Sequence, residues 1–240
     1  MEDTIRGAVD RFWAGVFGLD LPQLHQPGVR VVADAPGFDG WEGLYLLALA
    51  DAVVIHSPLE RVEAVLAAVS STPRDEVFTA AFAGTLARTV GGLVRGPSSH
   101  HYVAAGAFFH APARLDVRAL EADDDPALRS LAAAADPNEW AEAGFGPDMP
   151  ALVWGCFEAT ELVGAANLTP WGPVPADVGV YTSPAKRDKG VGGALAAAVT
   201  ATALSTTEVV RYRCLNTNTP SLRIARRLGF SPYGSNFAIR

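Results

Sequence analysis

Residues 178–195 read Val-Gly-Val-Tyr-Thr-Ser-Pro-Ala-Lys-Arg-Asp-Lys-Gly-Val-Gly-Gly-Ala-Leu, an apolar β-branched run that passes through a basic, glycine-rich turn into a helix-forming stretch. Those residue types in that order suit the capture of an anion. Glycines at 190, 192 and 193 let consecutive backbone N–H groups converge without a Cβ in the way. A helix N-terminus adds partial positive charge, and Lys186, Arg187 and Lys189 add full charges. Lys186 and Lys189 are the only lysines in the chain, so their placement on either side of Arg187 is not the scatter of an ordinary solvated face. The spacing excludes two common phosphate loops. It is not Gly-x-x-x-x-Gly-Lys-Ser/Thr, and Gly190-Val191-Gly192 is not followed by a third glycine three residues on. On physics alone the identity of the anion stays open.

Arg187-Asp188-Lys189-Gly190-Val191-Gly192 fits Arg/Gln-x-x-Gly-x-Gly/Ala, and about 30 residues later Asn218-Thr219-Pro220-Ser221 leads through a short helical stretch to Leu228-Gly229-Phe230. In these two motifs, their order and the helix and strand between them, the sequence resembles the GNAT superfamily of acyl-CoA N-acyltransferases over residues 113–240. The resemblance implies a mixed, strongly twisted sheet flanked by helices, an α/β fold of the α+β type, in which the strands at 176–182 and 209–215 splay apart and acetyl-CoA lies in the notch. It places the pyrophosphate on the N–H groups of Lys189, Gly190, Val191, Gly192 and Gly193, with Arg187, Asp188 and Ala194 completing the loop. It pairs the backbone of Val180, Tyr181 and Thr182 with the pantetheine amides. Asn216 or Asn218 is assigned to the pantetheine arm, with Ser221 among the cofactor-binding residues. Helical spacing puts Arg223, Arg226 and Arg227 on one face, which suits either the 3′-phosphate or solvent.

The chemistry so implied is acyl transfer to a primary amine by direct attack in a ternary complex, without a metal. The amine must be neutral to attack, so a carboxylate takes its proton, and the leaving thiolate must be protonated or stabilised. Asp177, at the start of the splayed strand, is the candidate base and Glu158 the second. The backbone N–H region of Val180 is the candidate oxyanion donor. Many relatives carry a Tyr acid seven residues after the motif Asn, where this chain has Ala225. Tyr212, Ser221 and Tyr233 are the hydroxyls that remain, with Ser221 taken as the catalytic candidate. The missing Tyr also supports an alternative, a non-catalytic acyl-CoA-binding or regulatory module.

The elements that must position these groups follow from periodicity and punctuation. The pattern predicts strands at 115–120, 151–158, 162–168, 176–182, 209–215 and 236–239, and helices at 126–135, 138–143, 191–204 and 221–228, the last ended by Gly229. Asp123-Asp124-Asp125 before Pro126 reads as helix capping rather than as a metal site. Upstream, helices are expected at 8–19, 59–69 and 75–82 and strands at 29–33, 51–56 and 102–109. The chain is thus expected to divide into a smaller α/β domain over 1–112, with a degenerate copy of the same fold as one reading of it, and an acyltransferase domain over 113–240. Ser98-Ser99 before His100-His101 lacks a nucleophile elbow. The isolated His25, His56 and His110, and Trp140, Trp154 and Trp171, read as packing residues.

Net charge frames the reading. The 240 residues carry −7 overall, which argues against a nucleic-acid binder. Along the chain, residues 1–112 hold 12 acidic and 7 basic side chains, 113–177 hold 12 and 3, and 178–240 hold 2 and 9. The acidic middle stretch points to a small, cationic amine as acceptor, and the basic end to a phosphate-rich ligand. Cys156 and Cys214, the only cysteines, read as buried thiols in a reducing compartment. No basic n-region opens the sequence, and 190–207 read as a buried helix rather than a membrane span, so a cytoplasmic protein is expected, with a homodimer left open.

Overall fold

The computed structural model describes residues 1, 3–109, 115–146, 152–170 and 176–240. Eight α-helices and ten strands are found among them. The chain folds into two compact units that interleave in sequence: 1–101 with 213–219 and 232–240, and 102–212 with 220–231.

The first unit begins with α1 (Asp3–Phe17) and α2 (Leu21–Leu24), where Asp20 accepts from the Gln23 N–H and Gln23 returns a bond to the Asp20 N–H, a capping box. Its strands β1 (Gly28–Ala33), β2 (Leu44–Leu49), β3 (Ala52–Ser57), β4 (Val94–Val103) and β10 (Ser231–Ile239) run in the order β1-β3-β2-β10-β4. β2 pairs antiparallel with both β3 and β10. Helices α3 (Val62–Ser70) and α4 (Ala80–Val90) close one face, over a core that includes Leu44, Leu46, Ile55, Val65, Phe82, Leu86 and Phe237. Here the structure corrects the sequence reading. Residues 44–49, given no strand, form β2, and the strand expected at 102–109 lies instead at 94–103. The last expected strand begins five residues early. Leu-Tyr-Leu-Leu-Ala-Leu has no polar alternation because β2 is almost wholly buried, and such short apolar runs do not separate strand from helix. His100 is buried as expected of a packing residue: its Nε2 lies 2.9 Å from Asn236 Oδ1 and 3.3 Å from the Tyr45 hydroxyl, with Trp13 edge-on to the ring.

The second unit runs β5 (Asp116–Ala119), α5 (Asp125–Ala134), α6 (Pro137–Glu142), β6 (Val153–Glu158), β7 (Glu161–Pro170), β8 (Ala176–Thr182), α7 (Val191–Leu204), the start of β9 (Val210–Leu215) up to Tyr212, and α8 (Thr219–Arg227) from Pro220 on, with strand order β9-β8-β7-β6-β5. β5 to β8 are antiparallel neighbours, and β8 pairs with β9 in parallel. Arg118 on β5 donates two hydrogen bonds to Asp124, whose carboxyl that contact pushes down to about 2. Asp136 caps α6 by accepting from Asn138 and Glu139 N–H. α7 is apolar on all sides and largely buried, its Val191 and Leu195 lying against Gly164 of β7. No helix among the described residues is long and apolar enough to cross a membrane. The expected boundary near 112, His110 and Trp171 fall wholly or partly outside the described residues.

One close approach sets the position of α6. Asn167 of β7 and Gly179 of β8 are register partners, and the buried Asn167 amide donates to the carbonyl of Ala143, the residue that ends α6. A Cβ at 179 would lie 2.0 Å from that same carbonyl oxygen. Glycine is therefore required by contact, not by dihedral angle. Gly179→Ala is expected to cost about 2 kcal/mol or more of stability, since it must expel either the α6 end or the Asn167 amide. A urea unfolding curve unchanged from wild type would refute this.

Candidate active site

The basic turn folds as a succession of local constraints. Ser183 leads into a single 3-10 turn at Pro184–Lys186. Asp188 and Gly190 then take left-handed conformations, φ 60° and 86°, on either side of Lys189. Asn, Asp and glycine visit that region at least cost. Gly190 is the N-cap of α7, and the first helical bond it permits runs from the Ala194 N–H to the Gly190 carbonyl, 3.0 Å. The N–H groups of Val191, Gly192 and Gly193 precede that bond and have no carbonyl one turn earlier to receive them. With the helix dipole behind them, they have the geometry of a cradle suited to an anion. A Cβ built on Gly190 or Gly193 meets nothing within 4 Å, so the space beside both is open.

Gly192 is different. A Cβ there would stand 3.2 Å from Thr182 Oγ1, 3.3 Å from Ile224 Cδ1 and 3.7 Å from Val180 Cγ1. The start of α7, the end of β8 and the middle of α8 therefore meet at this glycine. Val180 and Thr182 face α7, and alternation along the strand puts Gly179 and Tyr181 on the other face, where Tyr181 meets Trp140 of α6 edge-on, with centroids 5.1 Å apart. Burial pushes the Tyr181 phenol up.

Among the described residues β8 and β9 pair at two positions, Ala176↔Val210 and Asp177↔Arg211. From Val178 to Thr182 the edge of β8 facing β9 has no strand partner among the described residues. This is the splay the motifs call for. The Ser183 N–H bonds the Val163 carbonyl, so by alternation the backbone groups of Tyr181 turn to β7 and those of Val178, Val180 and Thr182 turn to this edge, where the Thr182 carbonyl accepts from Arg187.

The remaining expected residues distribute unevenly. Ser221 is half-buried and Arg223, Arg226 and Arg227 exposed on α8, with Ala225 fully buried. Asn216 and Asn218 belong to the first unit. The Asn216 N–H donates to the Pro97 carbonyl and its Oδ1 accepts from the Ser99 hydroxyl, while the Asn218 N–H donates to Leu215 O. Asp177 accepts from Arg211 Nε at 2.5 Å and Nη2 at 2.7 Å. The oxygens that would take a proton from an amine are already held by a buried guanidinium, and withdrawing one would leave that charge half-paired. Glu158 pairs with Lys186 at 2.5 Å, and that hydrogen bond pushes its carboxyl down, against the requirement for a base. Tyr233 donates to Asp10 within the first unit.

Sequence reasoning missed Glu139, Gly179 and Arg211. Glu139 of α6 accepts from Arg187 at 2.5 Å, and Arg187, which also donates to the Thr182 carbonyl, thereby joins the loop to α6. Gly179 was visible as a glycine inside a strand, a mark of close backbone approach. Arg211 was visible as a lone cation between Val210 and Tyr212, where burial demands a partner. Cys156 and Cys214 are free. Burial pushes both thiols up, Cys214 to about 11, which disfavours the thiolate form of each. No cluster of His, Cys, Asp or Glu able to hold a metal ion occurs among the described residues.

The sequence pattern of the acetyltransferase (GNAT) domain matches residues 107–231, more than half of the chain. The chain belongs to the GNAT acetyltransferase domain family. Among solved structures, a GCN5-related N-acetyltransferase-like protein from Streptococcus suis is similar in fold along nearly the whole length, at 14% identity and TM-score 0.52 over 98% of this chain and 99% of that one. A conserved protein of unknown function from Staphylococcus epidermidis gives 14% identity and TM-score 0.51 over 75% and 77%. A GNAT-family acetyltransferase from Novosphingobium aromaticivorans gives 25% identity and TM-score 0.48 over 62% and 66%. Measured on the first structures it matches, this GNAT chain spans 62% to 66% of their lengths. A search of curated proteins finds no match.

The Glu158–Lys186 pair of this GNAT domain gives a pH test. A carboxyl held low in the fold contributes stability above its unfolded value and loses it as pH falls through the folded one. Glu158→Gln should therefore be modestly less stable than wild type near neutrality, the pair being only part-buried, and the difference should close as pH falls below about 4. Parallel acid limbs in denaturant titrations would contradict the assignment.

Proposed function

We propose that the protein is an acyl-CoA-dependent N-acyltransferase that moves an acetyl group from acetyl-CoA to the primary amine of a small cationic acceptor by direct attack. The observation that carries this reading is the junction at Gly192, where an open helix N-terminus, the unpaired edge of β8 and α8 come together. The cradle of Lys189 to Gly193 suits a pyrophosphate, and exposed Lys189 adds a charge that no carboxylate among the described residues neutralises by ion pairing. The thioester is the activated acyl donor. The N–H region of Val180 is suited to polarising its carbonyl. Ser221, three residues after Asn218 on the first turn of α8, is our choice for meeting the leaving thiolate, because Ala225 has no hydroxyl and is fully buried. With Asp177 and Glu158 both committed to cations, the ammonium proton is assigned to water, not to a carboxylate. Exposed Asp136, Glu139 and Glu142 around α6 favour a cationic acceptor.

Acetyl-CoA should raise the melting temperature, the stabilisation reaching about 2.7 kcal/mol at a hundredfold excess over the dissociation constant. An Arg187→Ala, Gly192→Asp double variant should lose that shift, since it removes a cation and puts a carboxylate into the cradle; an unaltered shift would move the CoA site elsewhere. Release of free CoA across a panel of amines tests turnover. Binding without release for any amine would leave the chain an acyl-CoA-binding module.

A further inference from the structure

Among the described residues β8 and β9 pair in parallel at two positions, and the last of them toward Thr182 is occupied by Asp177 and Arg211. Arg211 is 2% exposed and Asp177 16%, and the contact is bidentate, Nε to Oδ1 and Nη2 to Oδ2. Val209, Val210 and Tyr212 around Arg211 are buried apolar or aromatic side chains, the costliest setting for a guanidinium without a planar, two-point partner. Such a pair contributes little net stability compared with an apolar pair of similar volume, and its best attested role is to specify register. Register matters at this point. Sliding β9 by one residue would turn Arg211 to the opposite face of the sheet and bring Val210 or Tyr212 beside Asp177. It would also change which residue of β8 is the first without a strand partner.

We infer that Asp177 and Arg211 form a positioning clamp that fixes where β8 and β9 part, and so which backbone groups, those of Val178, Val180 and Thr182, are presented to the acyl-CoA. The pair lies at the vertex of the notch, on the face of β8 shared with Gly179 and Tyr181, and the cradle stands at its open end. This inference rests on the acyl-CoA reading above and gives Asp177 a role other than that of a base.

The test is calorimetric titration of the full chain with coenzyme A itself, on wild type, Asp177→Asn and Arg211→Lys. Asn keeps the shape and loses the charge, while Lys keeps the charge and loses the two-point geometry. Both variants should remain folded by circular dichroism and cooperative melting, yet bind coenzyme A about tenfold more weakly, as expected when an aligned site is misplaced by a fraction of an ångström. A folded variant of either kind with wild-type affinity overturns the clamp, and is the result a proton-abstracting Asp177 would give. Loss of the fold in both variants also overturns it, by assigning the pair to sheet stability. Failure of the wild type to bind coenzyme A strikes instead at the acyl-CoA reading, so the two failures are distinguishable.

Discussion

The structure of the second unit turns on the parting of two parallel strands. Backbone N–H and C=O groups are strong hydrogen-bonding groups that folded proteins nearly always satisfy, yet β8 leaves its β9-facing edge without a strand over five residues beyond Asp177. A free strand edge inside a sheet is stable only if something shields or uses it. Here α7 packs one face of β8 through Gly192, and α6 packs the other through Ala143 and Trp140. Both faces are covered while the edge stays available. The same divergence sets the anion cradle beside that edge, since only the short basic turn at 183–190 separates the end of β8 from the start of α7.

Charge is distributed more tightly than residue counts suggest. The basic stretch from 178 onward holds nine cations, but Lys186 is paired with Glu158, Arg187 with Glu139 and Arg211 with Asp177. Each pair joins separate elements: β6 to the loop, α6 to the loop, and β9 to β8. Three cations thus act as fasteners, and the remaining six are Lys189, Arg213, Arg240 and the three exposed arginines of α8. The acidic stretch 113–177 supplies all three partners, so the opposite charges of the two segments serve in part to hold them together.

Local signals were legible where the responsible contacts are themselves local. The strand at 176–182 and the helix at 191–204 were read to the residue, because β-branched residues, a glycine N-cap and an apolar run act within a few positions of one another. The first unit was read less well. β4 contains Pro97 and a Ser-Ser-His-His run, and β10 contains Pro232 and Gly234, so neither has the composition of a strand. They are strands because distant neighbours pair with them: in β10, Phe237 stands opposite Leu46, and Ile239 opposite Leu44. A partner nearly 200 residues away leaves no trace in a local window.

The sequence by itself determined the glycine-rich helix start and the family, because glycine spacing, a helix start and a cluster of the only two lysines act through backbone geometry and charge at short range. It also determined that no Tyr stands at 225. Only the tertiary structure decided what the carboxylates do. Asp177 and Glu158 have the right residue type and place in the chain for a base, but a carboxylate's role depends on which cation faces it. Arg211 lies 34 residues from Asp177 and Lys186 lies 28 from Glu158, distances in sequence that strand pairing and chain reversal close in space, and that no local pattern encodes.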